Sequence, residues 1–211
     1  FVLKLMKTDG NALKYANKTH RNDKELVMQA VKNKGSALQF VDESLKNDKT
    51  IVMEAVKNTG DIIKYASSKL KNDKLVALTA VKNSGFALKY IGENLKKDKE
   101  IVLIAVKENG GYLKYADPSL KKNKEIVLAA VKNAGYALEY ANESSKKDKE
   151  IVLAAVKNFG LSLADADESL KKDKEIVLAA VKQDAYALNF ANYISFINDK
   201  DFRNYLYVLE E

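Results

Sequence analysis

The sequence contains no cysteine, no tryptophan, a single proline and a single histidine among its 211 residues. Without cysteine the chain can form no disulfide, no thiolate metal site and no cysteine nucleophile. Because His20 is its only imidazole, histidine metal clusters and Ser-His-Asp chemistry are excluded as well. No run of about 18 apolar residues is present, so we expect no membrane-spanning helix.

Arginine is also scarce, in a chain that is basic overall. Lys and Arg number 36 against 29 acidic residues, for a net charge of +7, yet Arg21 and Arg203 are the only arginines. Arginine supplies the planar fork that suits phosphates and base edges. We therefore do not expect nucleic acid as the partner, although the net charge alone would suggest it.

The dominant pattern is a segment that recurs every 25 residues. A fixed period of this length is typical of stacked repeat proteins. We predict a single helical-repeat array over 1–211, with partial units at 1–22 and 199–211. The full units begin with Asp or Asn near 23, 48, 73, 98, 123, 148 and 173. Positions within a unit are numbered from this opening residue.

The first half of each unit has the pattern of a helix of about ten residues. In the unit that opens with Asp148, positions 4, 5, 8 and 9 are Ile151, Val152, Ala155 and Val156, which share one helix face. The opening Asp is a good N-cap, and position 10 is Lys in every unit, which suits a helix C-terminus. Glycine at position 13 is interpreted as a C-cap that stops the helix.

The second half predicts a shorter helix over positions 15–19, followed by one more helical turn that Asp117-Pro118 opens in its unit. Val and Ile would also suit a β-solenoid, but the caps, Lys and Ala favour helices. The predicted fold class is therefore all-α, an α-solenoid of tandem 25-residue helix-turn-helix repeats. One such helix is too short to be stable alone, so each unit must stack on its neighbours.

The string LKKNKEIVLAAVKNAGYALEYA, which begins at Leu120, resembles a known helical-repeat family. That family is catalogued as a domain of unknown function, number four thousand one hundred and sixteen, and the resemblance covers essentially the whole chain. It implies an array of short helical repeats. It brings no catalytic motif, cofactor or ligand that could be transferred to residues of this sequence.

Lysine at position 2 forms a candidate basic stripe. Its members are Lys24, Lys49, Lys74, Lys99, Lys124, Lys149 and Lys174. Stacked units would align them into a surface for anionic partners. Acidic residues lie in the same turns, so we favour a solvated edge in which these lysines pair with Asp or Glu of adjoining units.

Aromatic residues recur at position 18, as Tyr65 and Tyr90 do. They could stack bases or sugars, but we expect them in the core with their hydroxyls at its edge. Positions 12 and 14 vary while the framework is constant, as expected of a binding face, although drift at unconstrained positions would look the same. The candidate partner-binding residues are Phe86, Tyr136, Phe159, Leu161 and Tyr186.

Three carboxylates, Asp165, Asp167 and Glu168, lie close together in the sequence. They lack the glycine turn and the ligand number of a calcium loop, so we expect helix capping instead of a metal site. With no catalytic or metal-binding residues and no cofactor predicted, the expected function is a non-enzymatic scaffold for a protein or peptide partner. Head-to-tail self-association through the solenoid ends, and binding of anionic partners to the lysines, are the alternatives.

Overall fold

The computed structural model describes residues 2–196, 198–200 and 202–203, all of whose regular elements are helical. The backbone groups into two compact units, Phe1–Ala105 and Val106–Glu211. The first half of each repeat is an α-helix, called here the long helix. The long helices are Val2–Thr8, Lys24–Asn33, Lys49–Asn58, Lys74–Asn83, Lys99–Glu108, Lys124–Asn133, Lys149–Asn158 and Lys174–Gln183.

The long helices begin and pack as the sequence predicts. The carboxylate of Asp148 accepts hydrogen bonds from the backbone N–H groups of Glu150 at 3.0 Å and Ile151 at 3.3 Å. Those groups have no partner within the helix, so the cap stabilises the first turn. The residues at positions 4, 5, 8 and 9 of this unit are at most 1% exposed and form its share of the core. The all-α repeat fold is therefore confirmed.

The interpretation of the position-13 glycines as C-caps is wrong. The long helix ends two residues before the glycine, as at Asn158. The residue between them, such as Phe159 with φ −148°, is extended. No described glycine has a positive φ, so left-handed backbone is not the reason for glycine here. A Cβ at Gly135 would collide with the carbonyl oxygen of Ala155 in the next unit. Glycine is required because the neighbouring backbone approaches so closely.

The second half of each unit is a 3-10 helix that starts at the position-13 residue itself. These helices are Gly10–Tyr15, Gly35–Phe40, Gly60–Tyr65, Gly85–Lys89, Gly110–Tyr115, Gly135–Tyr140, Gly160–Asp165 and Ala185–Phe190. The sequence predicts a short helix here but not its tighter hydrogen bonding. A third short segment then leads to the next unit.

That third segment varies from unit to unit. It is an α-helical turn at Lys18–Arg21, Ser68–Lys71 and Glu143–Lys146, and a 3-10 turn at Leu45–Asn47, Glu93–Lys97, Leu170–Lys172 and Tyr193–Phe196. After Asp117 the chain forms a hydrogen-bonded turn, in which the Asp117 carboxylate accepts from the Ser119 N–H at 2.9 Å. The capping role of Asp117 is therefore confirmed, and the Lys121 N–H donates to the Asp117 carbonyl at 3.3 Å as in a single helical turn, although no helix follows.

Within each compact unit, an asparagine at position 11 joins successive repeats. Asn158 Oδ1 accepts a hydrogen bond from the Gly135 N–H at 2.6 Å, and Asn158 Nδ2 donates to the Lys132 carbonyl at 3.1 Å. One side chain thus provides hydrogen-bond partners for a carbonyl near the end of the preceding long helix and for the first N–H of the preceding 3-10 helix. Asn33, Asn58, Asn83 and Asn133 make the same pair of bonds. We call this arrangement the asparagine clamp.

Candidate interaction surfaces

Most of the position-2 lysines form ion pairs with acidic residues of the following repeat. Lys149 Nζ lies 2.8 Å from Asp173 and 2.9 Å from Glu175, while Lys124 Nζ lies 2.8 Å from both Asp148 and Glu150. Lys24, Lys49, Lys74 and Lys174 pair in the same way with the opening Asp of the following repeat. Along this edge, lysine and aspartate alternate, and we call the row the Lys–Asp ladder.

The ladder shifts the acidity of its members. Burial would raise the pKa of Asp48, but hydrogen bonds from Lys24, the Thr50 hydroxyl and two backbone N–H groups outweigh it and lower the pKa to about 2. A hydrogen bond from Lys124 lowers the pKa of Asp148, and the reciprocal contact raises the pKa of Lys124. The charges of the candidate basic stripe are therefore largely compensated where the ladder forms.

The lysines at position 10 are in a different situation. Lys32, Lys57, Lys132 and Lys157 are exposed, and none of their ammonium groups forms an ion pair with a carboxylate in the described part of the chain. They lie near the C-terminal ends of the long helices, at the opposite edge from the ladder. Lysine occurs at this position in every unit, and the sequence alone suggests only that it suits the helix C-terminus.

Shallow grooves lie between successive long helices of Val106–Glu211. One, of about 540 Å³, lies between Lys149–Asn158 and Lys174–Gln183 and is lined by Leu153, Leu178 and Ala179. A second, of about 480 Å³, lies between Lys124–Asn133 and Lys149–Asn158. Positions 6 and 7 are half-buried and form the floors, and position 10 forms one rim. We call this surface the groove face.

The candidate partner-binding residues differ in exposure. Tyr186 is 73% exposed, Tyr136 41% and Phe159 37%, whereas Phe86 and Leu161 are half-buried. Phe86 packs edge-on against Tyr90 with ring centroids 5.5 Å apart. Phe86 lies in Phe1–Ala105 and the other four in Val106–Glu211. Whether they bind a partner stays a prediction.

The aromatic residues of position 18 are not in the core, so that expectation is wrong. Tyr15 is 84% exposed, Phe190 is 42% exposed, and the others are half-buried. Several of these rings lie beside the lysine that precedes them in the sequence. Lys64 Nζ, for example, is 5.1 Å from the centroid of the Tyr65 ring. Leucine and alanine fill the core instead, because the 3-10 helix directs positions 15 and 16 inward.

Two of these tyrosines, Tyr115 and Tyr140, lie near Lys114 in Val106–Glu211, together with Tyr112 of position 15 and Tyr136 of position 14. Tyr112 and Tyr115 stack with centroids 6.4 Å apart, and Lys114 Nζ lies 4.9 Å from the centroid of Tyr115. The pKa of Lys114 is raised by a hydrogen bond with Tyr115 and by the nearby hydroxyls of Tyr140 and Tyr136. We call Tyr112, Tyr115, Tyr136, Tyr140 and Lys114 the tyrosine cluster.

Two features of neighbouring residues position Tyr136 in this cluster. Its hydroxyl donates a hydrogen bond to Asn109 Oδ1 at 3.0 Å. It also lies over Gly111, where an added Cβ would approach the Tyr136 hydroxyl to 2.7 Å. Gly111 occupies position 14, which carries a side chain in all the other units, so this contact of Tyr136 depends on the glycine. Tyr136 is a candidate partner-binding residue, and Tyr115 and Tyr140 belong to the position-18 row that the sequence singles out, whereas no pattern in the sequence points to Tyr112.

The acidic segment and the helices offer no other site. Asp167 caps a turn by accepting from the Ser169 N–H at 3.0 Å, as expected. Among the described residues no three His, Asp or Glu side chains converge as metal ligands. In the same part of the chain, every helix is too short or too polar to cross a membrane.

These features define the chain as a helical-repeat protein. The family model described as "Domain of unknown function (DUF4116)" matches residues 1–46, 23–71, 48–96, 73–112, 98–146 and 148–196. The chain belongs to this family, and the overlapping matches follow the 25-residue repeat. No curated protein and no solved structure matches it.

Proposed function

We propose that the chain is a non-enzymatic repeat scaffold that binds a protein partner through the tyrosine cluster. The observation that carries the proposal is the stacked pair of Tyr112 and Tyr115 with Lys114 beside the Tyr115 ring, and with Tyr136 and Tyr140 within electrostatic reach of that lysine. Tyrosine has few rotatable bonds and combines a large apolar ring with a polar tip, so it is enriched at interfaces and at their energetic centres. A related group of Phe86 and Tyr90 with Lys64 and Lys89 lies in Phe1–Ala105, and the tyrosine cluster differs from it by the stacked pair of Tyr112 and Tyr115.

The non-enzymatic part of the proposal rests on the titratable groups. Lowered carboxylate pKa values belong to caps and ion pairs such as Asp48 and Asp167. Burial raises the pKa of Asp165, the ammonium groups of Lys146 and Lys171 lower it, and Glu139 raises it, but Asp165 lines neither of the two grooves described above. Acid–base catalysis needs a positioned pair of groups at a concave site.

Affinity capture from a lysate of the producing cell, treated with nuclease and eluted by a salt gradient, tests the proposal. We expect the wild type to retain a discrete protein through high salt, and the Tyr115→Ala/Tyr136→Ala variant to lose it. Tyr15→Ala is the matched control, because Tyr15 also lies beside a lysine but is 84% exposed. Equal retention by the wild type and the double variant would refute a role for the cluster.

Self-association through the solenoid ends stays a prediction. Residues 204–211, in the partial unit 199–211, lie outside the described residues. A mass that rises with concentration in light scattering would support this alternative.

A further inference from the structure

The groove face of Val106–Glu211 combines an apolar floor with an uncompensated charge. Leu153, Ala154, Leu178 and Ala179 form the floors of the two grooves. Position 7 is Gln29 and Glu54 earlier in the chain, where its side chain would fill or charge such a floor. Alanine leaves space beside each leucine, so this part of the array presents open apolar grooves.

The two rims of these grooves differ in net charge. On the N-terminal rim, Glu150 and Glu175 are neutralised by Lys124 at 2.8 Å and Lys149 at 2.9 Å. On the C-terminal rim, Lys132 and Lys157 have no carboxylate partner among the described residues. A ligand on this face therefore meets apolar surface bordered on one side by positive charge, and complementarity requires apolar groups beside negative ones.

We propose that the groove face binds an extended acidic segment of a protein, with a leucine-like side chain and a carboxylate recurring every third residue. Packed helices lie roughly 8–10 Å apart. A polyproline II segment advances about 9 Å in each turn of three residues. Such a segment, laid across the long helices, places one leucine in each groove and one carboxylate beside each rim lysine.

The apolar floor favours a protein segment over a nucleic acid. A phosphate backbone would satisfy the lysines but has no side chain for the grooves at Leu153 and Leu178. Its affinity would come from phosphate contacts and fall steeply with salt. An acidic leucine-bearing segment uses both features, so part of its affinity should survive at high salt.

Fluorescence anisotropy with a labelled peptide of tandem Glu-Leu-Pro triplets tests the proposal, since proline holds the preceding leucine extended. We expect saturable binding by the wild type and an affinity about tenfold lower for Lys132→Gln/Lys157→Gln. Lys122→Gln/Lys172→Gln is the matched control. It removes the same charge from exposed lysines of position 25, at the other end of the long helices, and should change the affinity less than about twofold.

Four results would overturn the proposal. The wild type could fail to bind the peptide saturably, or the control could weaken binding as much as the rim variant, which would make the attraction generic. An oligothymidylate of equal charge could bind as tightly, which would indicate a polyanion surface. A Glu-Gly-Pro peptide should bind more weakly than the leucine peptide. Equal binding would show that the grooves do not bind the leucine side chains.

The proposal is independent of the tyrosine cluster. Tyr115→Ala/Tyr136→Ala should bind the Glu-Leu-Pro peptide as the wild type does. Loss of captured protein with retained peptide binding would separate the two surfaces, whereas loss of peptide binding in this variant would overturn the groove-face proposal.

Discussion

Asn158 reaches back 23 residues to accept a hydrogen bond from the backbone N–H of Gly135, at 2.6 Å. The same amide donates to the carbonyl of Lys132, 26 residues earlier, at 3.1 Å. A single side chain therefore pairs a carbonyl at the end of one long helix and the first N–H of the 3-10 helix that follows it. The clamp joins neighbouring repeats by polar contacts in addition to their shared core.

We expect Asn158→Ala to lower the free energy of unfolding by about 1–2 kcal/mol, since both backbone groups lose their partner and the Gly135 N–H is partly buried. Thermal unfolding followed by circular dichroism measures the loss, and hydrogen exchange should show faster exchange at Gly135. Asn189→Ala is the control, because Asn189 is exposed and should change stability little. A variant as stable as this control would contradict the clamp.

Gly135→Ala should destabilise the chain by about 1–3 kcal/mol, because the new Cβ meets the Ala155 carbonyl, which belongs to backbone and cannot rotate away. Gly92→Ala is the matched comparison. There the added Cβ meets the Asn72 side chain, which is exposed and can move. Chemical denaturation of both variants should separate them, and equal stability would refute the close-approach explanation.

Ser162→Ala should raise stability by about 1 kcal/mol. The Ser162 hydroxyl is buried at 1% exposure and has no hydrogen-bond partner in the described part of the chain, and such a group costs free energy. Ser145→Ala provides the contrast, since the buried Ser145 hydroxyl donates to the Lys121 carbonyl at 3.4 Å. Thermal melting should move up for the first variant but not for the second.

The Lys–Asp ladder predicts a pH dependence of stability. Asp48 has a folded-state pKa of about 2, below the value of roughly 3.9 in an unfolded chain. Its contribution is therefore complete above about pH 4 and is lost as the pH falls toward 2. We expect the melting temperature to fall over this window.

Asp148→Asn/Asp173→Asn provides the test of the ladder. The amide keeps the cap, as Asn123 does when it accepts from the Ile126 N–H at 3.2 Å. The variant should be less stable at neutral pH and should lose less stability between about pH 4 and 2. An unchanged acid profile would exclude the ladder as its cause.

The sequence predicts the periodic part of the fold well. Apolar positions 4, 5, 8 and 9 and the opening Asp identify each long helix, because helix period and capping are local properties. The pairing of the position-2 lysines was also foreseeable, since acidic residues of the adjoining units recur in the same turns. The candidate residue Tyr136 came from its variability alone.

What the sequence does not reveal depends on how one repeat approaches the next. Glycine at position 13 has the pattern of a C-cap, and only the proximity of Ala155 to Gly135 shows its real role. Asn158 looks like an ordinary helix-end residue until its partner 23 residues away is known. The tyrosine cluster likewise depends on the space that Gly111 leaves for Tyr136.

The asparagine clamp also gives the array a direction. Each clamp residue pairs with backbone groups of the repeat before it, so removal of a clamped repeat exposes the Gly N–H and Lys carbonyl of its N-terminal neighbour, whereas the same two groups of its C-terminal neighbour stay paired. Unfolding that advances toward the N-terminus therefore leaves, at each asparagine clamp, a folded repeat whose helix end has lost its hydrogen-bond partner. Unfolding that advances toward the C-terminus leaves a clamped repeat whose own helix end is still paired. The two directions of unfolding are therefore not equivalent.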